Sequence, residues 1–435
     1  MKYFLFFFLG FGLLACQQEI DDKPLSRELT AVQTQMDAYF TALTELQKFN
    51  GVVLVSKNDT ILLERAYNLF NNEDSSTFIS VSHQFDIHSV SKLMTHFLIA
   101  QLEAEGALSE AQTIDSFFPD FPRGDEITIG MLLDHSSGLP RELLNFDGDE
   151  FELGPEEIVE AVKKESLLFD PGTDKQYSNV GYELVYRLIA QVYEKPFSQC
   201  IHEEIFLPLD MSSSGAHFFK ETDRLEKPAQ NHVLQDSIIT SVPNIAEDEF
   251  RTARLYSTAS DLYAFLESVE KEPYRTSLKS EDNIIAKDGG SDGIRAQVYT
   301  DLENGFRFVL LSNYDEMPFF KTIEDVVKIL KSEPVEIPRE INRKAIEVDL
   351  EVLERYVGSY TFPDFDGLVL RIEIEEEGLV VFQGDEKIAK LKAESETVFY
   401  EDPKAAESFE FIENENGTFN SLMGWKGIVV EGKRE

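Results

Sequence analysis

Cysteine is nearly absent. The 435-residue chain has two, Cys16 and Cys200, which excludes a scaffold held together by disulfides. Histidine is scarce, with 7 scattered residues, and tryptophan occurs once. No His-Glu-x-x-His and no cysteine pair at zinc-ligand spacing is found, so no metal or organic cofactor is implied. Basic residues are outnumbered: Lys and Arg total 40 against 81 Asp and Glu, a formal net charge of -41 with a pI near 4.5. A polyanion of this kind repels phosphate backbones, which excludes nucleic-acid partners, and it disfavours a basic grip on anionic lipid. With 24 glycines and 16 prolines the chain is neither low-complexity nor collagenous. What remains is ordinary globular composition, 42% hydrophobic and 28% charged, over a length that suits two or three domains.

The first segment stands apart. Lys2 precedes an apolar run from Tyr3 to Ala15, and Cys16 follows directly. Thirteen residues at about 1.5 Å each reach about 20 Å, short of a bilayer core of about 30 Å. The length suits a signal-peptide core. Leu13-Leu14-Ala15-Cys16 resembles a bacterial lipobox, in which cleavage precedes the cysteine and the thiol is lipidated. The expectation is therefore a signal peptide over residues 1–16 with lipidation at Cys16, and a polar tether over 17–27. The protein would be lipid-anchored in a bacterial cell envelope, its domains in the periplasm or outside the cell and the anchor its sole membrane contact. With Cys16 lipidated, Cys200 is left alone among Phe197, Ile201 and Phe206, the setting of a buried, inert thiol.

Apolar residues from Leu29 to Leu46 recur at helical spacing. Gly51–Ser56 and Thr60–Ala66 read as a hairpin around Lys57-Asn58-Asp59. Ser89–Glu105 reads as a mostly buried helix ending at Gly106, and a mainly helical stretch continues to about Glu270. Within it, a helix over Ser260–Glu270 has Ser260 and Asp261 as expected caps. Ile284–Ala286, Arg295–Thr300 and Phe306–Leu311 return to strand character, and Phe320–Lys331 reads as a closing helix. Residues 333–347, with Pro334 and Pro338, have linker composition. Beyond them short alternating runs appear at Leu368–Ile374, Leu379–Phe382, Phe409–Ile412, Leu422–Trp425 and Gly427–Val430, the texture of a small β-barrel or sandwich.

Three short elements carry chemistry: Ser89-Val90-Ser91-Lys92, Tyr177-Ser178-Asn179 and Lys287-Asp288-Gly289. Each is weak alone. A second Ser-x-x-Lys stands at Ser268–Lys271, late in an amphipathic helix and expected at the surface. Ser89 differs because it opens a buried helix, where the dipole favours negative charge, and Lys92 falls on the same helix face.

Longer stretches around these elements resemble the serine β-lactamase and penicillin-binding superfamily, in its class C-like branch. FDIHSVSKLMTHFLIAQL (85–102) is similar to the family's nucleophile helix, and ITIGMLLDHSSGLP (127–140) to its Leu-Leu-x-His-x-Ser-Gly-Leu-Pro segment. FDPGTDKQYSNVGYELV (169–185) resembles the Tyr-x-Asn region, and KDGGSDGI (287–294) the end of the Lys-x-Gly strand. The likeness covers roughly residues 45–330, and the tail from VGSYTFPDF resembles a small lipocalin-like barrel. It implies an α/β (α+β) fold: an antiparallel sheet flanked by helices, an all-α subdomain beside it and a C-terminal β-barrel. The serine hydrolase domain would span 28–332 and the barrel 348–435.

The resemblance also implies roles. Ser89 would be the nucleophile, with Lys92 and Tyr177 as its base system; Lys92 would act as base provided that burial and Lys287 disfavour its charged form. The N–H groups of Ser89 and Gly290 would form the oxyanion hole. Asn179, Lys287 and Gly289 would bind substrate, an ester or an amide such as a D-amino-acid or peptidoglycan-related peptide. Two residues depart from the pattern. Asp288 replaces a Thr or Ser and would repel the carboxylate of a penicillin, and Arg254 stands where Gly is usual. Other readings remain. Gly289-Gly290-Ser291-Asp292-Gly293 matches a nucleophile elbow, which would need a helix after Ser291. A catalytically inactive envelope lipoprotein acting as a binding module is the alternative to an enzyme. Either way the expected partner is a small molecule or peptide, and the expected state is a monomer.

Overall fold

The computed structural model describes residues 23–70, 75–148, 153–216, 225–235, 237–242, 255–363, 368–376, 378–414, 417–425 and 428–434. The expected signal peptide, Cys16 and Arg254 lie outside the described residues. The expected tether is shorter than its bounds, because helix α1 (Lys23–Glu45) already begins four residues before Arg27.

Five antiparallel strands form the central sheet: β1 (Gly51–Lys57), β2 (Thr60–Tyr67), β3 (Ile284–Ser291), β4 (Ile294–Asp301) and β5 (Phe306–Ser312), in the order β2-β1-β5-β4-β3. The two chain segments meet where β1 pairs with β5, Gly51 opposite Ser312 and Lys57 opposite Phe306. The β1–β2 turn has Asn58 and Asp59 at φ of 49° and 60°, the left-handed pair that a tight hairpin needs and that Asn and Asp tolerate.

β1 is apolar at every position from Val52 to Val55 because both faces of the sheet are covered. Val53 and Val55, with Phe306, Phe308 and Leu310, pack under α1 and under α5 (Phe319–Leu330). Val52 and Leu54, with Val309, Leu311, Ala296 and Val298, face the larger core formed by α2 (Ser91–Ala104), α3 (Asn179–Tyr193) and α4 (Ala259–Val269). Successive strand side chains alternate faces, so one continuous run supplies two cores. The Tyr39 hydroxyl donates to Asp325 Oδ2 at 2.8 Å and ties α1 to α5.

Buried Arg307 on β5 is gripped by Glu270, with Nη2 2.6 Å from Oε2, and by Asp59 at 2.9 Å. That fork joins the end of α4 to the β1–β2 turn. The cap of α4 is Thr258, whose Oγ accepts from Asp261 N at 3.2 Å, and not the expected Ser260 or Asp261. Asp261 accepts instead from Ser213 N and Ser214 Oγ at 2.9 and 2.7 Å. Ser268 is buried rather than at the surface, its hydroxyl turned back onto Phe265 O at 2.7 Å, so the second Ser-x-x-Lys is structural.

Residues 333–345 carry no helix or strand. Eight strands follow: β6 (Gly358–Phe362), β7 (Leu368–Glu375), β8 (Gly378–Gln383), β9 (Glu386–Ala393), β10 (Val398–Tyr400), β11 (Ser408–Glu413), β12 (Phe419–Trp425) and β13 (Ile428–Arg434). They pair in sequence and close into a barrel where Tyr360 meets Arg434. Closure removes the exposed edges that an open sheet of this length would present.

Candidate active site

Ser89 does not lie in the helix expected for it. It occupies a 3-10 turn, His88–Val90, that feeds α2 at Ser91. The turn is fixed from below: Ile87 N donates to Leu255 O at 3.0 Å and His88 N to Asp86 Oδ1 at 2.9 Å. One helical turn on, Lys92 is 7% exposed, and its Nζ lies 3.4 Å from Ser89 Oγ. A lysine is rarely this buried without a polar purpose.

Tyr177 arrives from the loop before α3. Its hydroxyl donates to Ser89 Oγ at 2.7 Å. Three cations surround its ring, with Lys92 Nζ, Lys287 Nζ and Arg141 Cζ at 5.1, 5.2 and 5.2 Å from the ring centre. The positive groups favour electron density on the phenol and any negative charge that develops between them.

The Lys-x-Gly element reaches the same place along β3. Gly289 is buried, and a Cβ there would fall 2.3 Å from Ile87 O and 2.9 Å from Ser89 N. Only a glycine lets the strand backbone lie against the Ser89 turn, with Gly290 next along that backbone and paired opposite Arg295. Lys287 shares a strand face with Gly289, whereas Asp288 alternates away and is exposed. Ser291 ends β3 and is followed by strand β4 rather than a helix, so the nucleophile-elbow reading fails on geometry. Asn179 begins α3, with Ser178 as its cap. Its amide donates to Glu142 Oε1 at 2.6 Å. Cys200 is buried and its thiol is pushed up to about 11, chiefly by burial, which leaves it un-ionised and unreactive.

Ser89, Lys92, Tyr177, Lys287 and Gly289 thus converge. Three residues were given no role in the sequence: His135, Arg141 and Glu142. The ring of His135 lies against that of Tyr177, tilted by 32° with ring centres 4.4 Å apart, and its Nδ1 accepts from Ser178 N at 3.1 Å. Burial first, then the charges of Lys287 and Lys92, lower its pKa to about 4, so the ring is neutral near pH 7. The available signal was the pairing of two family-like segments. Gln176 N donates to His135 O, Gly172 N to Ser136 O and Leu168 N to Gly138 O, at 2.8 to 3.0 Å. Backbone bonds between the segments hold Tyr177 in place, and no pattern within either one reveals them.

The family model described as Beta-lactamase matches residues 36–329. The chain belongs to the beta-lactamase family. Membership places it in a serine hydrolase superfamily that includes penicillin-binding proteins. Penicillin-binding protein 4* of Bacillus subtilis (strain 168) is 23% identical over 416 residues, spanning 84% of this chain and 90% of that protein. The octameric penicillin-binding protein homologue from Pyrococcus abyssi shares the fold over 92% of this chain and 99% of its own, with a TM-score of 0.61 at 17% identity. The D-amino acid amidase from Ochrobactrum anthropi SV3 covers 69% of this beta-lactamase-family chain and 98% of its own, with a TM-score of 0.57 at 18% identity.

Proposed function

We propose that the protein is a serine hydrolase that acts through an acyl-enzyme on Ser89. The observation that carries this reading is the Ser89 hydroxyl held between the Tyr177 hydroxyl at 2.7 Å and Lys92 Nζ at 3.4 Å. In the first step Ser89 Oγ bonds to the substrate carbonyl carbon. Its proton passes to the Lys92–Tyr177 pair, and the oxyanion forms against the N–H groups of Ser89 and Gly290. Tyr177 returns the proton to the leaving alcohol or amine as the bond to it breaks. Water, deprotonated by the same pair, then attacks the acyl-serine carbonyl; the pair passes that proton to Ser89 Oγ as the ester bond breaks, which releases the acid and restores the hydroxyl. Each oxyanion-hole donor of this kind is typically worth about 3 kcal/mol in the transition state. Asn179, Lys287 and Gly289 flank the acyl group. Nothing in these steps calls for a metal or an organic cofactor.

The substrate class follows from charge. Glu142 sets a carboxylate beside Asn179. Asp288, exposed on the face of its strand opposite to Lys287, does not enter the cleft, contrary to the expectation from its place in the sequence. Acyl groups without a free carboxylate suit that cleft, which favours small esters and D-amino-acid amides over penicillins. The sequence of residues 1–16 supports a lipid anchor at Cys16 and placement in the bacterial cell envelope.

The test is pre-steady-state hydrolysis of a p-nitrophenyl ester beside Ser89→Ala. A stoichiometric burst lost in the variant supports the reading. Equal slow rates in both proteins overturn it and leave the inactive binding module.

A further inference from the structure

Among its described residues the C-terminal barrel is hollow at one end. Its strands alternate in direction, so the starts of β7, β9 and β11 gather with the ends of β8, β10 and β12. At that mouth lies a cavity of about 400 Å³, within the range of roughly 300–1,000 Å³ usual for small-molecule sites. Leu370, Leu391 and Met423, all buried, form its deep part. Further in, Tyr356 stacks on Phe411 at 4.1 Å, with Phe399 at 5.7 Å, and this aromatic plug makes the cavity a cup rather than a channel.

One wall is shaped by a bulge. Val381 pairs with Ala389 and Phe382 with Lys387, which leaves Ile388 between them as the extra residue. Bulges re-aim side chains. Ile388 lines the cavity and is 42% exposed.

Among the described residues the lining is charged in one sign only: it includes Glu401 and Glu407 and no lysine, arginine or histidine. Arg343, above the Tyr400 ring, is already held by Glu394 and by the carbonyls of Ala405 and Ala406. An apolar cup with two exposed carboxylates at its edge suits a chain that ends in a positive group and disfavours one that ends in an anion.

We propose that the barrel mouth binds a cationic amphiphile, its aliphatic chain in the cup and its ammonium head at Glu401 and Glu407. This site is separate from Ser89 and does not depend on catalysis. The test is calorimetric titration of the protein with dodecyltrimethylammonium below its micelle concentration, beside decyltrimethylammonium and dodecanoate. The expected result is one saturable site, roughly tenfold weaker for the decyl chain and at least about fivefold weaker for dodecanoate. Ala389→Phe, which fills the cup, should remove the site, and Glu401→Gln with Glu407→Gln should erase the head-group preference while leaving the chain-length effect. Circular dichroism checks that the barrel is intact in each variant. Many weak sites that Ala389→Phe leaves unchanged would mean adsorption over the acidic surface and overturn the proposal. Equal affinity for both head groups, or no saturable binding, would do the same.

Discussion

At the residue scale the site depends on what is small and what is neutral. Gly289 is the small element. A methyl group there would overlap Ile87 O at 2.3 Å, and neither backbone can yield without moving the Ser89 turn. Gly289→Ala is expected to lower kcat for ester hydrolysis by about a hundredfold, the cost of a displacement of about 1 Å, while Ser89, Lys92 and Tyr177 all remain. Hydrolysis within a factor of about three of wild type would show that the strand relaxes freely. His135 is the neutral element. Its pKa is lowered to about 4, so between that value and the ordinary histidine value of about 6.5 the unfolded chain binds a proton that the folded one does not. Its contribution to stability is complete above about pH 6.5 and is lost as pH falls toward 4. Burial lowers His83 and His232 as well, so the slope of the whole protein is shared. Comparison with His135→Gln isolates one part, for which a loss on the order of 2 kcal/mol between pH 7 and pH 4 is expected. Denaturant midpoints measured across that range decide it, and parallel curves for the two proteins would refute the assignment.

At the scale of elements, legibility followed burial pattern. The hairpin of β1 and β2 was readable because GVVLV is buried on both faces and Asn58-Asp59 is turn chemistry. The β3–β4–β5 meander was readable in kind, but β3 runs to Ser291 rather than Ala286. Its last residues, Lys287 to Gly290, are polar or glycine because Lys287 and Gly289 face the cleft while Asp288 is exposed, and a site on a strand end hides the strand. Strand β9 was not read at all, because the lysines of EKIAKLKA mask its alternation, in which Leu391 and Ala393 are buried while Lys390 and Lys392 stay outside. Gly358–Phe362 and Val398–Tyr400 were missed because strands of five and three residues are too short to show alternation. In the site, Ser89, Lys92, Tyr177 and Lys287 were legible as residue types in order. The ring of His135 on Tyr177 and the carboxylate of Glu142 on Asn179 were not, since both contacts join segments about 40 residues apart. The cap of α4 shows the same limit at short range: Thr258, Ser260 and Asp261 are all cap-forming residues, and only the backbone geometry selects Thr258.

At the scale of the whole molecule two fields oppose each other. The net charge of -41 gives the chain a negative long-range field, whereas Lys92, Lys287 and Arg141 crowd within about 5 Å of the Tyr177 ring. The long-range field governs approach and the local cations govern the last contact. Salt separates them, since the screening length falls from about 30 Å at 0.01 M to about 8 Å at 0.15 M. Over that change kcat/KM for a cationic ester is expected to fall several-fold and that for an anionic ester to rise, with a neutral ester unchanged as the control. If the local cations dominated instead, the anionic ester would be the better substrate at low salt and would lose rate as salt is added. Steady-state rates for three esters that differ only in acyl charge, measured at the two ionic strengths, distinguish the cases by sign alone. The first outcome would mean that the acidic surface, Asp288 included, selects the substrate before it meets Glu142, and the second that specificity is set entirely inside the cleft.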